Sequence, residues 1–88
     1  SVPKFKVGLG VTPDYLYDGE GMRIDGTREN TPATNAGIQK GDVVMKIGDN
    51  DISDMMSYMK ALAAFKKGDT TKVTVKREQE LLEVEVTF

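Results

Sequence analysis

Apolar and polar residues alternate strictly in two stretches near the end of the chain. Lys72-Val73-Thr74-Val75-Lys76-Arg77 and Leu82-Glu83-Val84-Glu85-Val86-Thr87 each turn every second residue to one face, the period of a half-buried strand. Glu78-Gln79-Glu80 lies between them, so the pair predicts a hairpin. Lys4–Val7 and Met22–Thr27 show the same alternation over shorter runs, and Leu9–Val11 and Val43–Ile47 are apolar runs beside glycine turns. These also read as strands, with Leu9–Val11 continuing the first segment out of the glycine turn. A different period governs the middle of the chain. Met55, Tyr58, Met59, Leu62 and Phe65 fall at i, i+3, i+4, i+7 and i+10, one stripe of an amphipathic helix. That helix is predicted from Met55 to about Phe65. Ser53 or Asp54 caps it, Lys66-Lys67 suits its negative end, and Gly68-Asp69 stops it. A shorter helix opens at Thr31-Pro32-Ala33, with a capping residue and then proline at the first helical position. Gly37 ends it. The order is strand, strand, short helix, strand, long helix, strand, strand: an α+β fold, a small mixed sheet closed by two helices.

Eighty-eight residues make one domain, expected to span 1–88. A chain of this size buries roughly 60% of its unfolded surface, and its stability should be about 4–13 kcal/mol. The formal net charge is -2, from 12 basic and 14 acidic residues. A nucleic-acid footprint needs a basic surplus, so no nucleic-acid partner is expected. There is no cysteine and no histidine, which removes disulfides, thiolate chemistry and the commonest metal ligand and general base. No apolar run approaches the ~20 residues of a membrane-spanning helix. The chain opens on Ser1 rather than Met and reads as a segment of a longer protein.

Several motifs begin and then fail. Gly8-Leu9-Gly10 starts like a dinucleotide-binding turn, but the third glycine would fall at Pro13. Asp49-Asn50-Asp51-Ile52-Ser53 starts like a calcium loop, yet Asp54 stands where the sharp turn needs glycine and Lys60 where a bidentate Glu belongs. Asp14, Asp18 and Glu20 have no convergent partner and read as solubilising charge. Serines without a histidine base make a hydrolytic triad improbable. No catalytic residue and no metal ligand is assigned, and the chain is not expected to be an enzyme.

Gly8-Leu9-Gly10-Val11 resembles the Gly-Leu-Gly-Phe signature of PDZ domains, with valine for phenylalanine. Thr31-Pro32-Ala33, Ala36-Gly37-Ile38, Gly41-Asp42-Val43-Val44 and Ile47-Gly48-Asp49 look like the same family's core motif. The resemblance covers nearly the whole chain. It implies a partly open barrel or sandwich of five to six strands capped by one short and one long helix. Two strands after the long helix resemble the circularly permuted bacterial type, in which the last strand takes the place of the first. Such domains are appended to peptidases. Leu9–Tyr15 with Tyr58–Leu62 looks most like the C-terminal PDZ of bacterial zinc-dependent aminopeptidases. HtrA-type and C-terminal processing serine proteases are the alternatives.

The resemblance also implies a site. The backbone N–H groups of Leu9, Gly10 and Val11 would hold a peptide's terminal carboxylate, with Gly8 and Gly10 allowing the turn and the close approach. The peptide would add as a strand along Thr12 and Pro13. Met55, Met59 and Leu62 would line the opposite, helical wall, with Asp54 or Met56 replacing Met55 if the register moves by one. Tyr58 and Phe65 would face the core. Pro13 departs from the family pattern, because it accepts from a ligand strand but cannot donate to it. The implied function is weak capture of apolar C-termini. A docking module whose groove its own parent chain fills is the other reading. No cofactor is expected in this domain, though a parent's catalytic domain could hold zinc. The expected setting is a monomer outside the cytoplasm, with a peptide terminus or the parent peptidase domain as partner.

Overall fold

The C-terminal hairpin sends Val73, Val75 and Val86 into the core. A computed structural model describes residues 7–88. In it Thr70–Arg77 and Glu80–Thr87 form the two longest strands. They pair in register from Thr70↔Thr87 to Arg77↔Glu80. Val73 lies opposite Val84, and Val75 opposite Leu82, all on one face. Burying one such side chain contributes roughly 1.5–3 kcal/mol. The turn is tighter than the sequence suggests. Only Glu78 and Gln79 lie outside the strands, with φ of 50° and 74°, the two positive values of a type I′ turn.

In chain order the elements are β1 (Val11–Pro13), β2 (Met22–Thr27), α1 (Pro32–Asn35), β3 (Val43–Ile47), β4 (Asn50–Asp51), α2 (Met55–Leu62), β5 (Thr70–Arg77) and β6 (Glu80–Thr87). The strand order is β1-β2-β3-β5-β6, with β4 on β3 and every pairing antiparallel. Among the described residues the sheet does not close, so β1 is an open edge. The expected α+β architecture of five to six strands with one short and one long helix is observed, with six strands in a sheet that is wholly antiparallel rather than mixed. β4 has no alternating signal because it is a two-residue strand, ND. The Lys4–Val7 strand falls mostly outside the described residues, and the next strand begins at Val11 rather than Leu9.

Val44 and Ile47 are three apart yet both fully buried. An irregularity between Val44 and Lys46 adds Met45 to β3 and returns Ile47 to the inner face, opposite Val73. Ile24, Val44, Ile47, Val73, Val75 and Val86 pack there with Tyr58, Ala61 and Leu62 of α2. Asp54 is the α2 cap, accepting from Ser57 N–H at 2.8 Å while the Ser57 hydroxyl accepts from the Asp54 N–H at 3.1 Å. The helix stops at Leu62 rather than Phe65. Its last turn tightens, with Ala64 N–H on Ala61 C=O and Phe65 N–H on Leu62 C=O. Phe65 then lies against Phe88, ring centres 5.3 Å apart.

One buried ion pair ties the α1–β3 connection to the end of β5. Asp42 is 1% exposed. Its carboxylate takes Arg77 Nε and Nη2, each at 2.8 Å, and the Gln39 N–H at 2.9 Å. Arg77 Nη2 also donates to Gly37 C=O at 3.0 Å. Burial pushes the Asp42 carboxyl up, but the Arg77 hydrogen bonds, the Gln39 N–H and the Arg77 charge outweigh it. Its pKa therefore lies below the ordinary value.

Candidate functional site

The glycine turn at 8–10 is held from two sides. Leu9 is fully buried, and its C=O accepts from Ala33 N–H at 2.9 Å. Gly10 C=O accepts from Arg28 N–H at 3.0 Å. Asp14 N–H donates to Arg23 C=O at 2.9 Å. The Gly10 C=O and the Asp14 N–H thus face β2, and by the period of two so do the backbone groups of Thr12. Val11 and Pro13 turn theirs outward, to the open edge. The register shift on this pair, Thr12↔Gly26 then Pro13↔Ile24, places the extra residue, Asp25, on β2. The alternation of β1 itself is unbroken. Pro13 therefore costs the sheet no ladder bond, and its missing N–H faces the open edge.

The two flanking glycines are unequal. Gly10 has φ +81°, and a Cβ there would meet Thr31 Cβ at 2.3 Å. Gly8 has no left-handed φ, and nothing lies within 4 Å of a Cβ built on it. Close approach thus requires glycine at Gly10, whereas Gly8 has room for a side chain.

The helical wall is graded in depth. Met55 is half-buried against the core, Met59 is 38% exposed and Met56 is 74% exposed. Asp54 is occupied as the cap. Leu62 is 7% exposed and belongs to the core cluster, the deepest of the helical residues assigned to the groove. Thr12 is exposed and Pro13 half-buried.

Two residues not assigned to the site from sequence stand beside the turn. Tyr58 is 6% exposed. Burial pushes this phenol up to about 12, with the Leu9 N–H and the Arg28 charge acting the other way. Tyr58 is a core residue with a polar tip, and that tip lies near the Leu9 amide of the turn. Arg28 is the nearby positive charge. A tyrosine within the methionine and leucine stripe was the available signal for the first. Nothing in the spacing marks the second.

Among the described residues no three His, Cys, Asp or Glu side chains converge as a metal site. No described helix is long and apolar enough to cross a membrane. The arrangement is an open strand edge, a glycine turn at its head, and a helix with half-buried methionines.

The chain is similar to known proteins at both levels. It is 36% identical over 66 residues to the serine protease Do-like HtrA of Lactobacillus helveticus, covering 75% of this chain and 16% of that protein. It is 33% identical over 58 residues to the serine protease Do-like HtrA of Lactococcus lactis subsp. lactis, covering 66% of this chain and 14% of that protein. The chain thus spans about a sixth or less of the length of these curated relatives. In fold it is similar to an aminopeptidase N family protein of Idiomarina loihiensis (TM-score 0.81, 24% identity, 93% of this chain and 14% of that one). It is also similar to the HtrA-type protease AlgW with a decapeptide (TM-score 0.82, 22% identity, 93% of this chain and 28% of that one). A third similar structure is the HtrA3 PDZ domain bound to the phage-derived ligand FGRWV (TM-score 0.74, 17% identity, 91% of this chain and 82% of that one). The family model described as PDZ domain matches residues 7–88, the whole described fold with its glycine turn and open edge, and the chain belongs to the PDZ domain family.

Proposed function

We propose that this single domain binds the C-terminus of a peptide or protein weakly, by strand addition to β1, as a non-catalytic module of a peptidase. The observation that carries this is the open β1 edge, where Val11 turns its backbone outward beside the Gly8–Gly10 turn. A carboxylate on the Leu9, Gly10 and Val11 amides sits in a backbone nest. A peptide running on from it meets Pro13 C=O but finds no N–H beyond Val11. Met55 and Met59 give the last side chain an adaptable apolar wall. The similar HtrA3 PDZ domain was solved with a ligand ending in valine, which supports an apolar terminus.

Two kinds of parent remain distinct. The curated relatives are serine proteases of the HtrA type, whereas the aminopeptidase N likeness is one of fold. The serine protease parent is therefore favoured over the zinc aminopeptidase that the sequence resemblance suggests. In either parent, β6 takes the edge position that the permuted bacterial arrangement gives its last strand, and an extracytoplasmic setting goes with this reading.

Titrating an apolar C-terminal peptide while following amide signals tests the proposal. Leu9, Gly10 and Val11 should shift with the free acid and not with the C-terminal amide. No shift at millimolar peptide would sink it. A second outcome is expected from Pro13→Val, which restores an outward N–H. One such hydrogen bond is worth about 0.5–1.5 kcal/mol net, so calorimetry should show a gain of up to about tenfold in affinity.

A further inference from the structure

The groove does not end at Pro13. The loop between β1 and β2 folds back on itself and exposes two large apolar residues. Asp14 organises it, accepting from Leu16 N–H at 3.0 Å and pairing with Arg23 at 2.8 Å. Tyr17 N–H donates to Asp14 C=O at 3.2 Å. Gly21 N–H donates to Ser53 C=O at 3.0 Å, fastening the loop to the approach of α2. A loop held this firmly nevertheless leaves Tyr15 78% and Leu16 94% exposed. Between the loop and α2 lies a cavity of about 220 Å³, lined by Asp14, Tyr15, Tyr17, Asp18, Asp54 and Met55 among others. Met55 joins it to the helical wall and Asp14 joins it to the end of β1.

The groove is also electrically polarised. Arg28 is bonded through its backbone to Gly10 and its charge acts on the buried Tyr58 phenol, which puts a positive charge near the turn. The far end carries Asp14, Asp18 and Asp54, and its one cation among the cavity residues, Arg23, is consumed by Asp14. A peptide laid antiparallel on β1 puts its carboxylate at the positive end. Tyr15 is four residues past Val11, about 13 Å along an extended chain at ~3.3 Å per residue. The side chain arriving there is the fourth before the terminal one. Pro13 releases the ligand backbone from β1 just before this point.

We propose that the cavity between the β1–β2 loop and α2 is a second subsite of the groove, taking a lysine or arginine side chain about four residues before the peptide's C-terminus. Tyr15 and Tyr17 offer ring faces to the cation and its stem. Asp18, which has no ion-pair partner among the described residues, offers the countercharge. The inference rests on the C-terminal capture proposed above.

Three valine-ended peptides that differ only at this upstream position, with Lys, Ala or Glu, distinguish the two. At low salt the Lys peptide should bind the 88-residue chain about three- to tenfold tighter than the Ala peptide, and the Glu peptide weaker than either. Adding salt should narrow the spread. In the Tyr15→Ala, Asp18→Asn double variant, whose two sites are both exposed, the spread should fall below about twofold while the Ala peptide binds as before. Equal binding of all three peptides by the native chain, or a spread that survives in the variant, overturns the subsite and leaves terminal capture standing. If the Ala peptide does not bind at all, terminal capture falls and the subsite with it.

Discussion

Arg77→Met should lower the unfolding free energy by about 3 kcal/mol at neutral pH, the low end for breaking a buried ion pair because Arg77 is itself partly exposed. For a domain of this size that is a drop of roughly 12–24 °C in Tm. The cost comes from what stays behind. Asp42 is 1% exposed and would keep only the Gln39 N–H as a partner. Asp42→Asn combined with Arg77→Met should recover part of the loss, since the neutral amide still accepts from Gln39 and leaves no buried charge.

The acid limb distinguishes this cause from lost packing. In the native chain the folded pKa of Asp42 lies below its unfolded value. Its contribution is therefore complete above the ordinary carboxylate pKa near 3.9 and drains away as pH falls through the folded value. In Arg77→Met, burial without a cation raises the folded pKa. The sign then reverses: protonation favours the folded state, and the penalty is largest at neutral pH. Urea melts at pH 7, 5 and 3 should show the variant's deficit shrinking toward acid. A deficit constant across that range would mean that the Arg77 stem, not its charge, holds the turn.

Asp42–Arg77 also marks the boundary of what the sequence makes legible. The C-terminal hairpin is visible because its period of two survives over both strands without interruption. Both helices are visible because their caps and stripes are local. The sequence has no local sign that an aspartate in a Gly-Asp turn will pair with an arginine 35 residues later. The β3 irregularity is hidden for a related reason. Met45 is as apolar as its neighbours, so the pattern cannot say which residue is the extra one. The site divides in the same way. Gly8–Val11 and the Met55, Met59 edge follow from local residues. The depth of Leu62, the reach of Tyr58 to Leu9 and the proximity of Arg28 depend on how α2 and β2 sit against the turn.

The unequal glycines carry the other large effect. Gly10→Ala should cost roughly 2–4 kcal/mol and remove measurable peptide binding, whereas Gly8→Ala should change stability by less than about 0.5 kcal/mol. Two terms add at Gly10. An alanine at φ +81° sits in the left-handed region, at roughly 1–2 kcal/mol. Its Cβ would also lie 2.3 Å from Thr31 Cβ and 2.4 Å from Thr31 Cγ2, closer than carbon atoms approach. Thr31 cannot move aside cheaply. It is the N-cap of α1, its hydroxyl accepting from Thr34 N–H while its own N–H donates to Thr34 Oγ1 at 3.1 Å. Displacing such a cap costs about 1 kcal/mol. It also drags on Ala33, whose N–H holds Leu9 C=O. The strain is thus delivered to the turn whose amides must converge on the carboxylate. Thermal melts and peptide titrations of the two variants side by side decide the matter. If both alanines behave alike, the turn tolerates a side chain at Gly10 and its amides are not held by the contact with Thr31. If only Gly10→Ala loses binding, the second glycine of the signature exists to let the turn rest on the cap of α1, and the first is free to vary.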